Sequence, residues 1–359
     1  MFRDIKKILI LRPDGIGDLL NSTPAISLLR KSYPDAHITV FVRPLNAEIL
    51  IGNPDVDEVL IYDRMGKHKR LLERLKFFHR LWKAGYDLAV VMYTASWYNL
   101  LAYVSGAKYR VGRYQKRFKS TLTHPSRQTY AKGTVHEVER NLDLVRRICD
   151  DEIASPSQKT KSFDLVLNLS VEENQWAYDF IQKFSISEDD FLVCIHPGGS
   201  SFDKLWTEDG YAQIADRLVN KFGAKILMLH GPSEAKLAID IQQRMTHDVI
   251  PDTIGMFHIY APESLRQLAA LINCCKLFIC NDSGPMHIAA ALNVPIVAIF
   301  GPTDHVRWAP RSPNAQIARR DMPCWPCSAH KCKNNFECTK LLPVETVWEK
   351  IETLLKFET

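Results

Sequence analysis

The chain reads as an α/β protein with two doubly wound domains, each built on a parallel sheet, facing a cleft. Three observations predict this. Short apolar strand patterns alternate with helical ones from Lys7 to Gly112, and the alternation restarts at Phe191. A polar stretch without periodicity, residues 150–162, separates the two series. Each series also holds a strand that runs into a helix through a turn bearing acids and glycine. One is Pro13-Asp14-Gly15-Ile16-Gly17-Asp18, the other Asn281-Asp282-Ser283-Gly284. Repeated βαβ units give parallel sheets, and 359 residues exceed one ordinary core.

In chain order, the first series predicts strands at Lys7–Leu11, His37–Val42, Glu58–Tyr62, Asp87–Met92 and Tyr109–Gly112. Helices are expected between them, the first over Asp18–Ser32. The second series predicts a strand at Phe191–His196, then the turn Pro197-Gly198-Gly199-Ser200. There follow a helix at Thr207–Phe222, a strand at Ala224–His230 and a helix at Ser233–Met245. After these come a helix at Glu263–Cys274, a strand at Lys276–Cys280, a helix at Gly284–Leu292 and a strand at Pro295–Phe300. Pro343–Lys356 closes the chain as a helix. The expected domains are 1–162 and 163–342, with 343–359 a candidate to pack back on the first. Ligands in such sheets bind beyond the carboxyl ends of the strands.

The two turns carry the first chemical signal. A helix that opens directly after a strand aims unpaired N–H groups and its positive end at one spot, which suits a phosphate. Asp282, Ser283, Gly284 and His287 lie at the second turn, and Gly284 lets the backbone approach a ligand closely. A dinucleotide oxidoreductase is disfavoured, because Leu20 stands where the third glycine of Gly-x-Gly-x-x-Gly belongs.

Charge is uneven. Residues 1–162 hold 28 Lys and Arg against 17 Asp and Glu, whereas residues 163–359 hold 18 against 24. The basic half should face an anionic partner. No nucleic-acid motif accompanies it, so no nucleic-acid partner is expected; an anionic membrane surface or glycolipid fits better. Arg64 to Lys83 contains eight basic residues and one acid, Glu73, with Leu71, Leu72, Leu75, Phe78, Leu81 and Trp82 interleaved. That is the make-up of an interfacial helix, although an ordinary packed helix with a solvated face is an equal reading. A second basic run spans Lys108 to Lys119 and has no acid. The N-terminus leads into the apolar run Ile8–Leu11, which reads as a strand and not a signal peptide. No transmembrane span is expected, and the expected compartment is the cytoplasm.

Taken together, several segments resemble glycosyltransferase family 9, the heptosyltransferases of lipopolysaccharide core assembly. They are Arg12-Pro13-Asp14-Gly15-Ile16-Gly17-Asp18-Leu19-Leu20 with Pro24, His196-Pro197-Gly198-Gly199, Lys204-Leu205-Trp206, Gly231-Pro232-Ser233-Glu234, Asp282-Ser283-Gly284-Pro285-Met286-His287 and Phe300-Gly301-Pro302-Thr303-Asp304. Members like heptosyltransferase II are the nearest in pattern. The resemblance implies two Rossmann-like domains (the GT-B arrangement), an N-terminal domain for the acceptor and a C-terminal domain for the donor. It implies inverting transfer of a heptose from ADP-L-glycero-D-manno-heptose to an anionic lipopolysaccharide inner-core acceptor, at the inner membrane's cytoplasmic surface. Alternatives are a protein-hydroxyl acceptor, another sugar, or a nucleotide-sugar epimerase of the same fold.

The resemblance also assigns roles. Asp18 is the catalytic base, with Asp14 read as a turn or cap residue; spacing alone would make Asp18 only a complement to the helix dipole. Lys204 neutralises the leaving diphosphate. Asp282 contacts the transferred sugar and His287 the phosphate region. Ser283 and the N–H groups near Gly284 hold the diphosphate. Ser200, and less directly Ser201, sit near phosphate. Glu234 is placed to accept from ribose hydroxyls, or else only complements the helix dipole. The adenine is expected near Ile259–Ser264. No paired-carboxylate cluster sits at these motifs, so no metal site and no cofactor beyond the donor ADP-heptose is expected.

Nine cysteines occur. Cys149, Cys194, Cys274, Cys275 and Cys280 lie in apolar contexts and read as buried thiols. Cys324, Cys327, Cys332 and Cys338 form a looser cluster whose spacing admits a structural metal without requiring one.

Overall fold

The computed structural model describes residues 2–114, 117–149, 164–246, 256–325, 327 and 332–356. The polar break at 150–162 and Lys116 of the second basic run lie outside the described residues. The chain forms two compact units, 1–167 and 168–359. The first closes with Leu165 and Leu167 buried and Val166 N–H donating to Thr23 Oγ1 at 2.9 Å.

The first unit runs β1 (Lys7–Leu11), α1 (Ile16–Leu20), α2 (Thr23–Ser32), β2 (His37–Val42), β3 (Glu58–Ile61), α3 (Leu71–Lys83), β4 (Leu88–Val91), α4 (Trp97–Val104), β5 (Tyr109–Arg113), β6 (His124–Ser126) and α5 (Glu137–Arg146). Its strands are all parallel, in the order β3-β2-β1-β4-β5-β6. Ile8 to Leu11 and Leu88 to Val91 are fully buried. Continuous apolar runs of this kind mark central parallel strands covered on both faces.

The second unit runs α6 (Val171–Gln182), β7 (Leu192–His196), α7 (Glu208–Phe222), β8 (Lys225–Leu229), α8 (Ala235–Arg244), β9 (Phe257–Tyr260), α9 (Leu265–Cys274), β10 (Leu277–Asn281), α10 (Gly284–Ala291), β11 (Ile296–Phe300), β12 (Ala315–Arg319), α11 (Glu337–Lys340) and α12 (Val344–Leu355). The parallel order is β12-β11-β10-β7-β8-β9. Renumbered within the unit, this repeats the first sheet. Both have the doubly wound order whose switch point lies between the first and fourth strands, here β1/β4 and β7/β10.

The expected helix over Asp18–Ser32 is two helices. Ser22 Oγ and Thr23 Oγ1 donate to the carbonyls of Leu19 (2.6 Å) and Leu20 (2.8 Å), taking acceptors from the last turn of α1. Pro24, without an N–H, then suits the first turn of α2. The sequence reading assigned no strand to β6, β9 or β12. All three lie toward sheet edges, where the apolar run shortens, and β6 contains Pro125. It also passed over α6, whose start carries a reciprocal cap. Ser170 accepts from Glu173 N–H at 3.2 Å, and Ser170 N–H donates to Glu173 Oε2 at 2.8 Å. The last helix was a candidate to pack on the first domain; instead Val347, Ile351 and Leu354 of α12 belong to the second unit's core. Trp206 Nε1 donates to Leu342 O just before it, at 3.1 Å.

Candidate active site

In the first unit, β1 ends at Leu11 and the next side chain, Arg12, is 1% exposed. Its Nη1 donates to Met92 O at 2.6 Å, just past β4, so the guanidinium sits at the switch point. Its Nε donates to Asp18 O at 3.0 Å and lies 3.2 Å from Asp14 Oδ1. Its Nη2 reaches Asp18 Oδ1 at 3.3 Å and Glu137 Oε1 at 3.5 Å. Glu137, at the start of α5, is equally buried and also pairs with Arg113 from the end of β5 at 3.1 Å. Two guanidinium groups therefore face three carboxylates.

Asp18 is the third residue of α1, where its Oδ2 accepts from Gly15 N–H at 3.2 Å. Its side chain is 29% exposed against 12% for Asp14, so Asp18 is the more accessible of the two carboxylates. Burial pushes the Asp14 carboxyl up to about 7, against the pull of Arg12 and with added repulsion from Asp18. The sequence reading left Asp14 as a turn residue; the fold makes it a member of a charged cluster. Arg12 and Glu137 received no role from the sequence, and Arg113 only that of one member of the basic run Lys108 to Lys119. An arginine directly after a fully apolar strand was the available signal for Arg12; Glu137, 125 residues away, offered none.

In the second unit three loops meet at the carboxyl edge. Asn281, the last residue of β10, donates through Nδ2 to Pro197 O at 2.6 Å and accepts from Trp206 N–H at 3.3 Å. This fixes the loop after β7 across the switch point. Lys204 closes a short 3-10 turn in that loop, and its Nζ meets Asp282 Oδ2 at 2.7 Å. Asp282 is the more buried partner, 7% exposed against 24%. Glu234 precedes α8 and accepts from Gly199 N–H at 3.1 Å and Gly231 N–H at 2.7 Å. It thereby joins the loop after β7 to the loop after β8. A Cβ on Gly198 would collide with this carboxylate and push the Glu234 side chain aside. His196 Nε2 lies 3.7 Å from Glu234, and burial lowers the histidine's pKa despite that neighbour.

Ser283 precedes α10 and makes no side-chain cap bond; its Oγ is buried without a hydrogen-bond partner. Gly284 opens the helix with Pro285 behind it, and His287 is buried one turn in, 3% exposed. Ser200 and Ser201 are exposed on the loop after Gly199. Residues 259–264 span the end of β9 and the loop after it, where His230 N–H donates to Tyr260 O at 3.2 Å. Of the residues singled out in this unit, Lys204, Glu234, Asp282, Ser283 and Gly284 come together on these three loops.

Cys149, Cys194, Cys275 and Cys280 are buried and Cys274 is half-buried. Cys324, Cys327, Cys332 and Cys338 line one small cavity of about 20 Å³ with Trp325 and Met322. Among the described residues, no three His, Cys, Asp or Glu side chains are grouped to hold a metal ion.

Comparison with known proteins places this geometry. The model of glycosyltransferase family 9 (heptosyltransferase) matches residues 74–336. Lipopolysaccharide heptosyltransferase 3 of Escherichia coli K12 is 28% identical over 350 residues, covering 94% of this chain and 95% of the relative. A solved family 9 glycosyl transferase from Veillonella parvula superposes with TM-score 0.85 at 23% identity, covering 100% of this chain and 99% of that one. E. coli ADP-heptose LPS heptosyltransferase II gives TM-score 0.77 at 24% identity, covering 98% and 99%. Both likenesses establish the two-sheet GT-B fold. The chain belongs to glycosyltransferase family 9 and is a sugar-transferring enzyme.

Proposed function

We propose that the protein transfers a heptose, with inversion, from ADP-L-glycero-D-manno-heptose to a lipopolysaccharide inner-core acceptor. The second unit would hold the donor and the first the acceptor. The observation that carries the donor assignment is the unpartnered Ser283 hydroxyl at the start of α10, beside the Lys204–Asp282 pair. Buried polar groups without partners call for one, and the positive end of a helix favours a diphosphate there. The relatives' names supply the sugar and the acceptor class.

In this scheme Asp18 takes the acceptor hydroxyl's proton as its oxygen attacks the anomeric carbon. The bond from that carbon to the diphosphate oxygen breaks, and ADP leaves with the electron pair. Lys204 and the N–H groups at Gly284 and beyond stabilise the developing charge; no step requires a metal or another cofactor. Asp282 orients Lys204 and contacts the sugar, His287 supports the phosphate region, and Ser200 borders it. Glu234 holds the two glycine loops and keeps acceptor capacity for ribose hydroxyls. Arg12 fixes Asp18 through both its backbone oxygen and its carboxylate.

The basic first half suits the phosphates and carboxylates of an inner-core acceptor. Among the described residues no helix is long and apolar enough to cross a membrane. Calorimetric titration with ADP, UDP and GDP tests the donor. Selective ADP binding, weakened by Asp282→Ala, is expected; preference for UDP or GDP would discard ADP-heptose.

A further inference from the structure

Helix α3 leaves most of its apolar surface outside the core. Phe77 and Leu81 are buried, but Leu71 is 59% exposed, Leu72 73%, Leu75 52% and Trp82 60%. Leu71, Leu75 and Trp82 are spaced four and seven residues apart, which puts them on one stripe, while Phe78 beside them packs against the first unit's core. That stripe is rotated away from the Phe77–Leu81 face. Met65, just before the helix, is 84% exposed. A contiguous apolar strip of this kind on a surface marks an interaction site.

The surroundings of the stripe specify the partner. Arg64, Lys67, Lys69, Arg70, Lys76 and Lys83 are exposed around it. Glu73, the helix's single acid, is taken by Lys76 at 2.7 Å. The partner must therefore be apolar beneath and negative at its surface. A second copy meeting this stripe face to face would bring two basic flanks together. Thirteen residues give about 20 Å of helix, too short for a bilayer core of about 30 Å, so the helix lies in the surface plane. Because α3 follows β3, its first turn lies at the carboxyl edge of the sheet, the edge that carries Asp18.

We propose that α3 docks the protein on an anionic phospholipid bilayer, with Leu71, Leu75 and Trp82 seated among the acyl chains and the flanking lysines and arginines on lipid phosphates. This keeps the first unit, with Asp18, beside the surface from which a lipid-anchored acceptor is presented. It deepens the proposed function, but its test uses neither donor nor acceptor, so the two readings fail separately.

The test is co-sedimentation of the full chain with phosphatidylcholine vesicles made with and without phosphatidylglycerol. Wild type is expected to bind the anionic vesicles and to be released by salt. The double variant Leu71→Ser/Leu75→Ser is expected to bind about tenfold more weakly, as is Lys67→Glu/Lys69→Glu. Both alter exposed positions, and unchanged thermal midpoints verify their folding. Equal binding to both vesicle types, or unaltered binding by the folded variants, would overturn the proposal. So would a wild-type dimer in light scattering that Leu71→Ser/Leu75→Ser converts to monomer, since the stripe would then belong to a second copy.

Discussion

At the carboxyl end of β1, one buried guanidinium serves Asp14, Asp18 and Glu137 at 3.2 to 3.5 Å. Asp14 shows what this crowding costs. Its carboxyl titrates near 7 when folded, against an ordinary 3.8. Between those values the folded protein keeps a proton that the unfolded chain has lost, so stability falls as pH rises from about 4 to about 7. Asp14→Asn, which is uncharged throughout, is expected to flatten that slope in urea denaturation series. A slope identical to wild type would place the titration elsewhere. Asp18 and Asp282 stand out in the sequence because each sits in a strand-to-helix turn, although the role given to Asp18 rests on the family resemblance. Arg113 and Glu137 were not, because tertiary packing alone brings them to Arg12.

At the scale of elements, loops after neighbouring strands are tied by side chains that cross between them. Glu234 accepts from Gly199 and Gly231, and Asn281 holds Pro197. Glu234→Ala leaves two N–H donors without their acceptor and is expected to lower stability by about 1–3 kcal/mol. It should also weaken ADP binding, because the Gly198-Gly199 loop loses its brace. Glu234→Gln, which retains one carbonyl acceptor, should fall between. Unchanged urea midpoints for both would remove the bracing role. From the sequence, Glu234 reads only as a ribose contact or a complement to the helix dipole. The brace was invisible because it depends on adjacent β7 and β8 sending their loops the same way. Central strands were read nearly to the residue, since burial on both faces leaves an unbroken apolar run. Edge strands β6, β9 and β12 lack that run.

Across the whole molecule the same strand order occurs twice, and each candidate site lies at its unit's switch point. The βαβ alternation and the polar break made this organisation readable. The destination of α12 was not, because an amphipathic helix states which face it buries but not against what. Enzyme class follows from family membership. The most direct test is ADP release from ADP-heptose with a heptose-deficient lipopolysaccharide acceptor, comparing wild type with Asp18→Ala. The account predicts release only when donor and acceptor are both present. It also predicts a rate about a thousandfold lower in Asp18→Ala, with ADP affinity unchanged. Near-wild-type turnover by Asp18→Ala, or release from ADP-heptose that needs no acceptor, would contradict it.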